Sequence, residues 1–448
     1  RMIYIKELLK TTKIYNSEDL QSFLLSLESK YKIETAQEKY HNLVNFSTNA
    51  TVPYHQWFKY REGFASELIT ELINMSGAKK DDYIIDPFCG SGTTNVVAVL
   101  NGFNSIGLDV NPMSAFITDA KIAHYTDVDI KQVLSLLDEA LSYQETASKA
   151  GYEDVRKYFK PGHFNELVRI KTYIDTISES KAKDILFVAY LSIIMECSER
   201  KRDGNGLKVQ ASKVENVAQF FNDKVNLIIE DVKDIQPSPG TKGFGIFGTA
   251  YNLYDEFLKY GSDIKAGAII FSPPYANSFD YFESYKLELV MGDFANGMNG
   301  INELRKHAVR SFIGGETQDT CDKYVDLIAK EIEDAIPEKE KETGKKDTRT
   351  RKVPNMIRAY FSDMHEVIRQ CSLCLESGKK TYIVVGQSAY VGKIVPTDLL
   401  LAYFGEQENF QVGRIIECRK ARTSTQQLNK YPFLKNTLRE SIIELIKN

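Results

Sequence analysis

Apolar positions along this chain change period several times, and the changes divide it. Seven short runs, at 83–86, 105–109, 243–247, 268–271, 382–385, 410–418 and 440–446, are predominantly apolar and bounded by turn residues. Continuous apolar runs of this length suit strands covered on both faces, as in a parallel sheet. Between them the period becomes helical: Phe64, Leu68 and Leu72 recur every four residues up to Gly77, and Ile357, Phe361, Met364, Ile368, Cys371 and Leu375 recur up to Gly378. Shorter helices are expected at 95–100, 280–290 and 397–404. The strand and helix signals alternate, which predicts an α/β fold: a doubly wound, mostly parallel seven-stranded sheet, closed by an antiparallel hairpin at its edge.

That alternation fails from 121 to 242. Val133, Leu137 and Leu141 mark one helix there, and Leu167, Ile170, Ile174 and Ile177 another. A third, 185–195, is apolar nearly all round and therefore buried on most sides. The chain accordingly reads as a lead-in (1–44), a first half-sheet unit (45–120), a large helical insert (121–242), a second unit (243–292), a weakly patterned segment (293–353) and the rest of the sheet (354–448). The run 338–352 is charged and turns basic at its end, as solvated loops and loops that contact nucleic acid both do.

Composition changes this picture little. Hydrophobic residues make up 43% and charged residues 26% of 448, as in ordinary globular proteins. A formal charge of −4 means that any nucleic-acid partner must meet a local basic patch. Six cysteines at scattered positions suit a reducing compartment. The lone Cys371-x-x-Cys374 pair has no second pair to complete a metal site, so no metal is expected. With no secretory segment and no apolar stretch near the ~20 residues a bilayer span needs, a cytoplasmic location without membrane contact is expected.

Two turns concentrate the chemistry. The first, Asp86-Pro87-Phe88-Cys89-Gly90-Ser91-Gly92-Thr93-Thr94, follows a strand and opens a helix. Gly90 and Gly92 allow backbone amides to approach a ligand at a helix N-terminus. Asp109 ends the next strand 23 residues after Asp86, where a carboxylate can take both hydroxyls of a ribose. The glycine spacing fits neither a dinucleotide fingerprint nor a P-loop. The second turn, Ser272-Pro273-Pro274-Tyr275, joins a hydroxyl, carbonyls on donor-free residues and a flat ring. Together these offer acceptors for an amino group and a surface for a planar ring to stack on.

These residues carry a resemblance. DPFCGSGTT, then GLDVNP, then SPPY resembles the S-adenosylmethionine-dependent methyltransferases that modify exocyclic amino groups of DNA bases, including those of restriction-modification systems. The likeness extends to 45–73, 277–289 and the closing LRESIIELIK, roughly half of the chain. It implies a methyltransferase sheet, with cofactor contacts from Asp86, Pro87, Phe88, Cys89, Gly90, Ser91, Gly92, Thr93, Thr94, Asp109 and Asn111. It implies catalysis at Ser272, Pro273, Pro274 and Tyr275 on a flipped base in double-stranded DNA. A cognate restriction endonuclease, acting separately, is the further partner implied. Many relatives place a carboxylate near the adenine ring where this chain has Thr249. Members with serine before the Pro-Pro pair are mostly cytosine-N4 enzymes, with adenine N6 the alternative; an RNA amino-methyltransferase and a catalytically idle DNA-binding protein are the remaining readings. Arg200, Lys201 and Arg202 in the insert, Lys352, and Arg422 beside the polar run 423–427 are the candidate DNA contacts.

Overall fold

The computed structural model describes residues 4–61, 63–204, 206–260, 266–314, 322–421 and 423–448. Its central sheet has eight strands: β1 (Ile33–Thr35), β2 (Tyr83–Asp86), β3 (Asn104–Asp109), β4 (Gly243–Phe247), β5 (Ala266–Phe271), β6 (Lys380–Gly386), β7 (Phe410–Lys420) and β8 (Arg439–Lys447). They lie in the order β1-β7-β8-β6-β5-β2-β3-β4, parallel throughout except where β8 meets β7 and β6. All seven expected strands are present. The eighth, β1, pairs in parallel with β7 through Ile33 and Ile415, so the β7–β8 hairpin does not form the edge as anticipated.

Helices cover both faces. In chain order they are α1 (Glu18–Lys30), α2 (Ser66–Ser76), α3 (Thr93–Leu100), α4 (Pro112–Ile122), α5 (Asp127–Ser142), α6 (Pro161–Thr176), α7 (Lys181–Cys197), α8 (Val217–Asp234), α9 (Lys323–Thr343), α10 (Val353–Cys374) and α11 (Thr397–Gln407). Alternate residues of each strand feed the two layers: Ile269 and Phe271 of β5 join the core beneath α10 and α11, while Ala268 and Ile270 join that of α2 and α3. The helices α5 to α8 bury a third core of their own, shared with Leu287 and Met291. That is the large insert.

The lead-in packs into the main core: Tyr15 donates to the Ile394 carbonyl at 2.6 Å, and Glu28 of α1 pairs with Arg439 of β8 at 3.3 Å, both fully buried. Two expectations are corrected. The charged run does not form one solvated loop, because α9 continues to Thr343, stops at left-handed Gly344, and the following turn is tied back by Lys339–Asp347 and Arg351–Glu340 pairs at 2.5 Å. The helix expected over 280–290 is broken at Tyr285 into Tyr281–Ser284 and Lys286–Met291.

Candidate active site

β2 is buried along its whole length and delivers Asp86 to the carboxyl edge of the sheet. The chain then turns through Gly90 (φ 52°) and Gly92 (φ 81°), which sits in the left-handed region as the residue before α3. Both positions need glycine for space as well as for φ. A Cβ at Gly90 would lie 2.8 Å from the Tyr60 ring, and one at Gly92 2.8 Å from the Thr118 hydroxyl and 3.2 Å from the Thr118 Cα. The turn is wired to its neighbours by donors. Phe88 N–H donates to Asp86 at 2.9 Å, Gly90 N–H to Asp109 Oδ2 at 2.9 Å and Asn111 N–H to Asp109 Oδ1 at 2.8 Å. From behind, α4 supplies Thr118 Oγ1 to the Gly90 carbonyl at 3.3 Å and Lys121 Nζ to the Ser91 carbonyl at 2.9 Å.

Burial dominates the electrostatics here. It raises Asp86 to about 7 and Asp109 to about 6, opposed by the backbone N–H groups just named. It lowers fully buried Lys121 to about 7, helped by the charge of Lys224. Nothing in the sequence pattern singles out Lys121, a lysine near the end of an ordinary amphipathic helix whose role follows only from the packing of α4 on the turn.

Two small cavities flank this turn. One, of about 140 Å³, is lined by Phe46, His55, Asp86, Cys89, Gly90, Ser91 and Thr93 among others; the second, of about 80 Å³, by Asp109, Val110, Asn111, Pro274 and Phe312 among others. Tyr60, Phe88 and Ser272 line both, so they are two ends of one trench. The Tyr60 ring is held flat against Tyr285 at 4.8 Å. Asn111 uses its Oδ1 to cap α4, and its buried Nδ2 has no partner among the described residues. A nucleoside fits this donor set: paired carboxylate oxygens at Asp109, an unused amide donor at Asn111, and a glycine turn that brings the main chain close. Two expected cofactor contacts lie elsewhere. Thr94 is buried with its hydroxyl 3.4 Å from the Ile270 carbonyl, and Thr249 caps the turn Ala250–Asn252 instead of lining the trench. Pro87 and Gly92 shape the turn without lining either cavity.

At the end of β5 the Ser272–Tyr275 turn separates the trench from a much larger cleft of about 980 Å³. Ser272 faces the trench; Tyr275 faces the cleft. The Tyr275 hydroxyl donates to Glu440 Oε1 of β8 at 2.7 Å, and Arg419 of β7 holds Glu440 Oε2 at 2.6 Å. One edge of the Tyr275 ring lies over Gly386, where a Cβ would come within 3.1 Å. The chain beyond is pinned by Ser388 and Tyr390, whose hydroxyls donate to the Ala276 carbonyl at 2.7 and 2.8 Å. Arg349 and Lys420 bring positive charge to the cleft wall, where Lys339 and Lys430 are ion-paired to Asp347 and Glu342.

The expected basic contacts fare differently. Arg200, Lys201 and Arg202 lie on one strand of a hairpin, Arg200–Asp203 against Gly206–Val209. Arg202 turns inward, ion-paired to buried Glu288 and 4.2 Å above the Tyr285 ring, so its charge is neutralised within the protein. Arg200 lies over Tyr158, while Lys201 is exposed. Lys352 is exposed on the turn that follows Arg349. Arg422 lies outside the described residues. Among those described, no group of side chains could hold a metal ion and no helix is long and apolar enough to cross a membrane.

Known proteins resemble this chain over both the site and the remainder. A family model described as DNA methylase matches residues 5–117. The type II methyltransferase M.BsoBI of Geobacillus stearothermophilus is 26% identical, over 93% of this chain and 91% of its own. The type II methyltransferase M.AvaI of Anabaena variabilis is 23% identical, over 95% and 93%. A solved rRNA methyltransferase from Streptomyces viridochromogenes overlays with a TM-score of 0.28 and 9% identity, over 86% and 85% of the two chains, too loosely to bear on the argument. These matches support an amino-methyltransferase of the restriction-modification type, and a methyltransferase of this kind implies S-adenosylmethionine as its methyl donor.

Proposed function

We infer that the amino group acted on is N4 of cytosine in duplex DNA. The observation that carries this reading is the position of Ser272, a neutral hydroxyl lining the cofactor trench, three residues from an aromatic ring that lines the open cleft. An exocyclic amino nitrogen is a poor nucleophile because its lone pair is delocalised into the ring. Ser272 Oγ and the Pro273 carbonyl each accept one N–H, drawing the nitrogen toward a tetrahedral shape with its lone pair turned to the trench. The target atom is inaccessible in a duplex, so the base is flipped, and stacking on Tyr275 offsets unpairing by about 1–3 kcal/mol. Bound S-adenosylmethionine supplies an electrophilic methyl group. Asp86, Gly90, Gly92, Asp109 and Asn111 hold it and orient it. A hydroxyl both accepts and donates, so Ser272 also has a proton to offer the ring nitrogen beside the amino group, and resemblance to serine-bearing relatives favours cytosine.

The cleft is the surface we assign to the DNA, in place of the insert. Of the described residues in 121–242 only Gly204 lines it, whereas α9 and the turn after it, β6 and the residues that follow it, and β7 and its continuation line most of its wall. A separately acting endonuclease of the same specificity is the partner this reading implies. Digestion of methylated DNA to nucleosides, with mass spectrometry of the product, tests it. N4-methyldeoxycytidine is the expected product; N6-methyldeoxyadenosine alone overturns the cytosine assignment.

A further inference from the structure

We propose that Tyr60 is the residue by which the enzyme tells its loaded cofactor from the spent one, its ring meeting the sulfonium where the two ends of the trench join. The inference rests on the reading of the trench as the cofactor's site. S-adenosylmethionine is a nucleoside and an amino acid joined at a positively charged sulfur. With the ribose at Asp109 in one end, the amino-acid part is left the other, lined by Gly90 and Ser91, and the sulfur falls at the junction. Ser272, which receives the amino group, lines that same junction.

Among the described residues only Tyr60, Phe88 and Ser272 line both ends, and none of the three carries a charge. The carboxylates stand apart, Asp86 in one end and Asp109 in the other. A cation at the junction is therefore met chiefly by aromatic rings, whose electron-rich faces attract it. Phe88 adds one ring, tilted against Phe271 at 5.5 Å. Tyr60 adds the more electron-rich one. It is half-buried, lies so close across Gly90 that a Cβ there would come within 2.8 Å of its Cε1, and rests flat on Tyr285 with ring centroids 4.8 Å apart. The backing ring is fixed in turn. Arg61 N–H donates to the Tyr285 hydroxyl at 2.7 Å, and Arg202 lies 4.2 Å over the ring while its Nε donates to the Ser284 carbonyl at 3.0 Å. The insert thus braces the cofactor trench through Arg202. On transfer the methyl–sulfur bond breaks with its electron pair left on sulfur, the methyl carbon bonds to the base nitrogen, and that nitrogen sheds a proton to water. The sulfur is then neutral, the pull of the ring is gone, and a fresh cofactor displaces the spent one.

Calorimetric titration with S-adenosylmethionine and with S-adenosylhomocysteine, which lacks the methyl group and the charge, tests this. Tyr60→Leu should lower the affinity for S-adenosylmethionine relative to S-adenosylhomocysteine by about fivefold or more. Leucine also leaves Tyr285 uncovered, so a second series keeps the shape of the ring: Tyr60→Phe, then phenylalanines bearing one, two and three ring fluorines at the same position, should lower that ratio step by step as the ring face loses electron density. A ratio that stays flat across the fluorine series overturns the proposal. So does an equal loss of both ligands in Tyr60→Leu, which is what lost packing alone would give. Asp109→Asn separates the two levels: if it weakens neither ligand, the trench is not the cofactor's site, whereas a loss of both there with a flat fluorine series removes only the role of Tyr60.

Discussion

The two turns at the carboxyl edge of the sheet sit on adjacent strands and are built in opposite ways. The turn after β2 works through main-chain donors: its N–H groups reach Asp86 and Asp109, and α4 holds its carbonyls from behind. The turn after β5 has two prolines and so few donors to give. It presents a hydroxyl, carbonyls and a ring, and side chains from distant strands hold it. The first suits a ligand with acceptors and hydroxyls, the second a ligand with an amino group. One sheet edge thus offers complementary surfaces for donor and recipient of the methyl group, close together on neighbouring strands.

The comparison breaks most sharply at Gly92. Gly92→Ala changes no functional group, yet its Cβ meets Thr118 at 2.8 Å and its φ is left-handed. A loss of about 2 kcal/mol in stability and of about a hundredfold in cofactor affinity is expected, read by thermal melting and calorimetry. Near-normal affinity would mean that the turn does not act through its backbone.

The same turn supplies a pH test. Asp109 in the folded chain is raised to about 6 by burial and Asp86 to about 7, both above the ~3.9 of an unfolded aspartate. Groups raised in this way favour folding below about pH 4, and that contribution is lost as pH rises toward 6 and 7. A ribose bound through Asp109 needs the ionised form, so cofactor affinity should fall as pH drops below about 6. Asp109→Asn should cost about tenfold in affinity at pH 8 and shallow this dependence, leaving the part due to Asp86; a slope identical to wild type would remove Asp109 from the ribose.

How much of this was legible in the sequence depended on range. Strands β2 and β5 and their turns were readable because a doubly buried strand is a continuous apolar run and glycine and proline mark the turn at its end. Strand β1 was not, since Ile33–Thr35 is short and its partner β7 lies at the far end of the chain. The charges and the internal Pro337 of α9 hid a helix that ends at Gly344. Tyr60 follows Trp57 by three residues in one aromatic stretch, and only the structure separates the two: Trp57 is fully buried, its indole N–H 2.9 Å from Asp231, while Tyr60 walls the trench. Arg202 shows the limit of reading charge from sequence, because only the fold places Glu288 beneath it.

That last contrast gives the smallest expected effect on DNA. Arg349, exposed on the cleft wall, should on replacement by alanine weaken DNA binding severalfold and reduce the slope of log K against log salt by about one, with melting unchanged. Arg202→Ala should do the reverse, lowering stability by about 3 kcal/mol through an uncompensated buried Glu288 while leaving the salt slope alone. Equal salt slopes for Arg349→Ala and the wild type would take the DNA out of this cleft.

The insertion of β8 between β6 and β7 has a consequence for assembly. Every other sheet strand precedes β8 in the chain, so the sheet cannot grow outward strand by strand. A gap must stay open beside β6 until β8 arrives, and pairing across such sequence distances is slow to find. The cofactor turn depends only on neighbours early in the chain and can form first. The side chain that holds the Tyr275 hydroxyl comes with the strand that closes the sheet, so the turn after β2 can be complete before the turn after β5 is.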